Sequence, residues 1–86
     1  MKLWRKNQEV AAPTTHHPVR VVYAAGDGPQ VEPALDALAQ GLSGRFGNME
    51  GSHGDRWVDY LFPTRDSANA FAMLVREREL GETTET

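Results

Sequence analysis

The alternation of hydrophobic and polar residues is clearest between Arg56 and Phe62, where it predicts a β-strand. Successive side chains of a strand point to opposite sides, so this run separates into two sets. One set is apolar and aromatic and consists of Val58, Tyr60 and Phe62. The other set contains a carboxylate and consists of Trp57, Asp59 and Leu61. We therefore expect the first set to face the core and the second to face outwards.

A helix is predicted directly after this strand, from Asp66 to Leu80. Its apolar residues recur at spacings of three and four, and they form one stripe made of Ala68, Phe71, Ala72 and Val75. Thr64 is placed to cap the first turn, and Gly81 is placed to end the helix. The stripe needs an apolar partner, and the core side of the preceding strand is the nearest one.

The first half of the chain predicts a strand, a helix and one arm of a hairpin. β-Branched and aromatic residues mark the strand from Pro18 to Ala25, and a glycine-containing turn follows it. A helix is expected from Glu32 or Pro33 to a cap at Gly44, with an apolar stripe at Val31, Leu35, Leu38 and Leu42. Residues 45–50 then form a short strand that turns back into the strand at 56–62. A bulge at Gly47 would bring Phe46 and Met49 to the same side of the sheet.

This order of elements predicts an α+β fold. We expect a ferredoxin-like βαββα domain over residues 18–81, with a three-stranded antiparallel sheet and two helices on one face. Residues 1–17 are predicted to form a mobile arm that can add a strand, or cover the bare face through Leu3 or Trp4. Residues 82–86 are predicted to be a disordered tail. Such a plan leaves the outer edge of the first strand and one whole sheet face uncovered.

Length and composition narrow the class of protein. The chain has 86 residues, a net charge of -3 and no cysteine. We therefore expect one small domain without a disulfide, a thiolate zinc site or a thiol nucleophile. Neither a secretory signal nor a run of about 20 apolar residues is recognisable, so a soluble cytoplasmic protein is expected. The negative charge argues against binding that depends mainly on phosphate groups.

The uncovered face carries the leading functional hypothesis. We place on it Trp57, Asp59 and Leu61 from one strand and Arg20 from another, with Arg45 and Arg56 as rim charges. Aromatic residues and arginines supply much of the energy at protein interfaces, and large exposed apolar patches are uncommon on monomers. The sequence therefore favours a small non-catalytic accessory or regulatory protein that docks on a protein partner or on a second copy, without a cofactor.

Residues His53 to Tyr60 resemble the signature strand of the RNA-recognition motif. Gly54, Trp57, Val58 and Tyr60 match its glycine, a stacking aromatic residue, its valine and its last aromatic residue. Asp55 stands where that family has a second stacking ring, and Arg56 stands where it has a small residue. The resemblance implies an alternative function, the binding of single-stranded nucleic acid on the same sheet face.

A third function class is enzymatic, because two such sheets packed face to face can enclose a small-molecule site around Trp57 and Asp59. The other motifs that could indicate catalysis or ligand binding favour structural roles instead. The turn at residues 26–29 lacks the spacing and the lysine of a phosphate loop, and His53 lies in a hairpin tip without the other ligands of a metal site. Glu32 and Asp36 lie one turn apart on a helix face that we expect to be solvated. We therefore predict no metal site and no catalytic residue.

Overall fold

The computed structural model describes residues 17–51 and 54–85 of the chain. Its elements are β1 (His17–Ala24), a short 3₁₀ turn (Ala25–Asp27), α1 (Gly28–Gly41), β2 (Arg45–Glu50), β3 (Asp55–Phe62), α2 (Arg65–Glu77) and β4 (Glu82–Glu85). The four strands form one antiparallel sheet in the order β2-β3-β1-β4. The α+β class is therefore confirmed. No helix among the described residues is both long and apolar enough to cross a membrane.

Both helices lie on the same side of the sheet, where a single core forms. The strand residues of this core alternate as predicted, and they are Val19, Val21, Tyr23, Val58, Tyr60 and Phe62. The helices contribute Val31, Leu35, Ala39, Ala68, Phe71, Ala72 and Val75. The fully buried ring of Phe71 lies 4.8 Å from that of Phe62 and 5.3 Å from that of Tyr60, measured between centroids. Because replacing a buried aromatic residue with alanine costs about 3–5 kcal/mol, this cluster is what holds α2 on the sheet.

The predicted number of strands is wrong, because Glu82–Glu85 forms a fourth strand along the outer edge of β1. We expected this stretch to be a disordered tail, since it contains no apolar residue. An edge strand is held largely by backbone hydrogen bonds, and charged side chains on it discourage pairing with other chains. Gly81 permits the close approach, because a Cβ there would lie 2.6 Å from the carbonyl oxygen of Val22. The edge of β1 is therefore covered.

The start of α1 differs from the expected position at Glu32 or Pro33, because the helix begins at Gly28. Pro29 lies in its first turn, where a missing N–H has no intrahelical acceptor to lose. Pro33 lies inside the helix and cannot donate to the carbonyl of Pro29. Both prolines are exposed, so water can satisfy that carbonyl and the helix tolerates the missing bond.

α1 ends with a residue other than glycine in the left-handed conformation. The N–H of Gly44 donates to the carbonyl of Ala39 at 2.7 Å, and the N–H of Ser43 donates to that of Gln40 at 3.1 Å. In this Schellman closure the left-handed residue is Ser43, whose φ is 62°. Gly44 is therefore not the left-handed cap that the sequence suggested. Packing accounts for the glycine instead, because a Cβ at this position would clash with the ring of Phe62.

The first turn of α2 has the predicted cap, whereas its last turn does not. The side chain of Thr64 accepts a hydrogen bond from the N–H of Ser67 at 3.1 Å. The helix ends at Glu77, and the left-handed position after it is taken by Glu79, with a φ of 56°. Gly81 lies two residues beyond that position and serves the approach of β4 to β1.

The hairpin of β2 and β3 contains a bulge at Gly47, which decides the sides of Phe46 and Met49 that the sequence left open. The pairing shifts between Phe46, which lies opposite Tyr60, and Asn48, which lies opposite Asp59. Phe46 and Met49 consequently share the helix side of the sheet, although Phe46 on this edge strand remains 56% exposed. The predicted arm was expected to end at His17, but this residue begins β1. The rest of the arm, with its anchors Leu3 and Trp4, and the hairpin residue His53 lie outside the described residues.

Replacing Ser43 with glycine is expected to raise the free energy of unfolding by about 0.5–1 kcal/mol. The reason is that the left-handed conformation costs about 1 kcal/mol or more in a residue that carries a Cβ. Urea denaturation at neutral pH measures the change. Ser43→Ala is the matched control, since it removes the hydroxyl and keeps the Cβ, and it should bring no gain. An equal gain in both variants would contradict the conformational explanation.

Candidate interaction surface

The side of the sheet opposite the helices is the candidate surface, and we call it the open face. It consists of Pro18, Arg20, Val22 and Ala24 from β1, Asp55, Trp57, Asp59 and Leu61 from β3, Arg45, Asn48 and Glu50 from β2, and Glu82 and Thr84 from β4. Both helices belong to the core on the other side. Within residues 17–51 and 54–85, therefore, no helix covers this face.

Three of the predicted residues meet at the centre of the open face. The pairing of β1 with β3 sets Arg20 opposite Asp59 and Val22 opposite Trp57. The Nε of Arg20 donates to Oδ1 of Asp59 at 2.8 Å, and its Nη2 donates to Oδ2 at 3.1 Å. The central carbon of the same guanidinium lies 3.6 Å from the centroid of the Trp57 ring. One arginine therefore joins a carboxylate and an indole in a fixed arrangement.

This cluster contributes little to the stability of the fold. The side chains of Arg20 and Asp59 are 46% and 21% exposed, and water and salt screen an ion pair at the surface. The contact of the guanidinium with the indole is also weak at such an exposed site. Hydrogen bonding to Asp59 raises the pKa of Arg20, so the arginine is always charged. The main effect of the cluster is to hold three side chains in place on a surface.

Leu61 and Arg45 extend the open face towards the β2 edge, as predicted. They lie opposite each other in the pairing of β2 with β3. Leu61 is half-buried and Arg45 is exposed. Among the described residues Arg45 forms no ion pair, so its charge is free to meet a group from outside the domain. Met49, from the same strand as Arg45, packs against the core instead.

The sixth predicted residue, Arg56, lies on the helix side, and its placement on the rim of the open face has to be corrected. Its Nη1 donates to Oε2 of Glu32 at 2.7 Å, and its Nε donates to the carbonyl oxygen of Gly51 at 2.8 Å. The physical reason is strand alternation, because position 56 has the same parity as the buried Val58. Arg56 therefore links the hairpin to α1 and does not contribute to the candidate surface.

The two carboxylates of α1 point at the sheet and are not simply solvated, as we had expected. The hydroxyl of Tyr23 donates to Glu32 at 2.7 Å, and the hydroxyl of Tyr60 donates to Asp36. The hydrogen bond from Tyr23, together with that from Arg56, lowers the pKa of Glu32. The sequence could have indicated these hydrogen bonds, because a tyrosine at a core position needs a partner for its hydroxyl.

Burial and these carboxylates raise the pKa of both tyrosines. For Tyr23, burial and the hydrogen bond to Glu32 raise the pKa from 10.0 to about 12. For Tyr60, burial and the hydrogen bond to Asp36 raise the pKa further. The hydroxyls are thus neutral donors throughout the physiological range, and they bind α1 to the sheet.

Possible sites for small molecules are limited within the described residues. A cavity of about 270 Å³ on the open face is lined by Pro18, Arg20, Asp59 and Thr84. A second cavity of the same volume lies at the start of α2, next to His17 and Arg65. No group of three or more potential metal ligands occurs in the part of the chain that the structure describes. The catalytic interpretation of His53 concerns a residue outside that part.

We compared the chain with protein-family models, curated proteins and solved structures, and none of them matches it. No relative therefore supplies a family or an activity, and function has to be inferred from the open face, its contacts and its charges.

The tyrosines give a testable pH dependence. A tyrosine whose pKa is raised in the folded state stabilises the fold at every pH below its ordinary pKa. That stabilisation is lost as the pH rises through the pKa of the folded state. We therefore expect the free energy of unfolding to fall as the pH rises from about 10 to about 12. Because the chain has two tyrosines, Tyr60→Phe leaves Tyr23 as the only one, and the tyrosinate absorbance of this variant should report a pKa near 12. Titration at the ordinary tyrosine value would contradict the hydrogen bond to Glu32.

Proposed function

We propose that this chain is a small protein-interaction module that docks through its open face. The observation that supports the proposal is the half-buried indole of Trp57, which lies under Arg20 and shares its face with Val22 and Leu61. Tryptophan and arginine are the residues most enriched among those that dominate binding energy. Here they lie together at the centre of a sheet face that carries no helix within the described residues.

The arrangement lowers the cost of binding. Immobilising a flexible side chain at an interface costs about 0.5–1.5 kcal/mol. Arg20 is already held by two hydrogen bonds to Asp59 and by the ring of Trp57, so a partner would not have to order it. The cluster that contributes little to folding is therefore well suited to recognition.

The charges of the open face favour a protein partner over a nucleic-acid strand. Its described residues include two arginines, Arg20 and Arg45, and four carboxylates, at Glu50, Asp55, Asp59 and Glu82. Nucleic-acid binding depends on cations that neutralise phosphates, which this excess of acids opposes. Only one aromatic ring of the described residues, that of Trp57, lies on this face, since Tyr23 and Tyr60 belong to the core.

The open face is also a better docking site than the strand edges. β4 covers the outer edge of β1, which leaves β2 and β4 as the edges of the sheet. The β2 edge is interrupted by the bulge at Gly47, and β4 is short and bears Glu82 and Glu85. Bulges, short strands and charges are the usual means by which sheets resist pairing with another strand.

We also propose that the domain is the ferredoxin-like arrangement, complete with its last strand. The order β2-β3-β1-β4 with all pairs antiparallel supports this, as does the position of both helices on one face. In such an arrangement the helix-free face is available for binding.

Trp57→Ala is expected to abolish capture of partners by the immobilised full chain. An extract of the native cell is passed over the wild-type protein and the variant, and the retained proteins are quantified by mass spectrometry. Removing a central tryptophan anchor costs about 2 kcal/mol or more, so retention should fall by at least about tenfold.

Met73→Ala is the matched control, because Met73 is 53% exposed on α2, away from the open face. It should retain the same proteins as the wild type, and far-UV circular dichroism should show that both variants are folded. Unchanged retention by Trp57→Ala would refute the proposal. Unfolding of that variant would assign Trp57 to the core and would refute it as well.

A further inference from the structure

We propose that the occupant of the open face is a second copy of this chain, related by a two-fold axis that runs parallel to β1 and β3. This inference rests on the proposed function, since it names the partner of the same surface. β3 and β1 are the two central strands of the sheet. An axis midway between them therefore lays β1 of one copy over β3 of the other, and β2 over β4. Strand directions stay aligned within about 30°, as in other face-to-face sheet packings.

The charges at the centre of the face are complementary in this arrangement. Arg20 of each copy lies over Asp59 of the other, so the two ion pairs join into one ring of alternating charges. A guanidinium has five N–H donors. Among the described residues Asp59 accepts from only two groups of Arg20, Nε and Nη2. Nη1 therefore remains to donate across the interface, where the central charge pairs count most.

The shapes of the central side chains also fit this axis. It sets the large Trp57 over the smaller Val22 of the second copy, and Leu61 over Pro18. Large residues facing small ones allow two layers to interdigitate. A two-fold axis that crosses the strands would instead set Trp57 over Leu61 and Arg20 over its own copy. Both size and charge thus favour the axis parallel to the strands.

The rim of the face limits the strength of the dimer. Glu50 lies beside Trp57 on β2, and Glu82 lies beside Val22 on β4, so the proposed axis brings Glu50 of one copy over Glu82 of the other. Each dimer then contains two acid–acid contacts. The sheet is also small, roughly 20 Å by 26 Å for four strands of up to eight residues. We therefore expect a weak, concentration-dependent dimer at the low end of specific interfaces.

The acid–acid contacts at the rim provide the test, because variants that remove them should strengthen the dimer. Glu50→Lys and Glu82→Lys each turn two repulsive contacts into attractive ones. Sedimentation equilibrium of the full chain, from about 1 μM to about 1 mM, should show dissociation constants about fivefold lower for each single variant than for the wild type. The double variant again places like charges together, and its dissociation constant should return close to that of the wild type.

Glu77→Lys is the matched control, because it makes the same change of charge at an exposed residue of α2, on the other side of the sheet. It should leave the dissociation constant unchanged, whereas Trp57→Ala should raise it at least about tenfold. A chain that is monomeric at every concentration, as wild type and as Glu50→Lys, overturns the inference. Weaker association of Glu50→Lys overturns the proposed axis, and equal strengthening by Glu77→Lys shows a non-specific charge effect and overturns it too.

The results also separate this inference from the proposed function. If the chain is monomeric but still retains other proteins through Trp57, the interaction module stands and the second copy is excluded. If neither self-association nor capture of other proteins responds to Trp57→Ala, both the interaction module and the dimer are refuted.

Discussion

The pairing of β1 with β3 determines both sides of the molecule. Within this pairing Val21 meets Val58 in the core, and the next pair, Arg20 and Asp59, meets on the open face. Because the side-chain period of a strand is two, a slip of one residue would exchange the sides. A slip of β1 against β3 would turn Arg20 towards the helices, at a large desolvation cost, and it would expose Val19 and Val21. The core and the candidate surface are thus two consequences of one register.

The two helices are held on this sheet by different kinds of contact. α2 is held by apolar contacts, with Phe71 packed against the rings of Tyr60 and Phe62. α1 is also held by polar contacts, because Glu32 and Asp36 accept hydrogen bonds from side chains of the sheet. Hydrogen bonds to charged groups are stronger than those between neutral groups. These contacts therefore add to the packing of Val31, Leu35 and Ala39 in fixing α1 on the sheet.

The sequence predicts features that depend on apolar periodicity and misses those that depend on backbone pairing or on polar partners. The sides of β3, the stripe of α2 and the cap at Thr64 follow from periodicity and turn chemistry, and the structure confirms them. β4 has no apolar residue, so its pairing with β1 leaves no trace in the pattern. For the candidate site, Arg20, Trp57 and Asp59 are brought together as the parity of their strands predicts.

The rim placement of Arg56 was wrong although strand parity puts position 56 on the side of Val58. The charge suggested an exposed position, and the partner that lets a charge lie on the core side belongs to another element. Its partner, Glu32, belongs to α1, twenty-four residues earlier in the chain. The same limit applies to the tyrosine hydroxyls, whose acceptors become visible only when α1 is placed above the sheet.

The bulge at Gly47 also affects how the β2 edge can pair with another strand. Without Gly47, every side chain of β2 would keep its present side, because Phe46 would still lie opposite Tyr60 and Asn48 opposite Asp59. What the extra residue changes is the outer border of the sheet, which it bends out of a straight line. Head-to-tail pairing of the β2 edge with the β4 edge of another chain would have no natural end and would lead to fibrils, whereas two sheets stacked about a two-fold axis form a closed pair. One inserted glycine thus opposes open-ended polymers and leaves finite assemblies accessible.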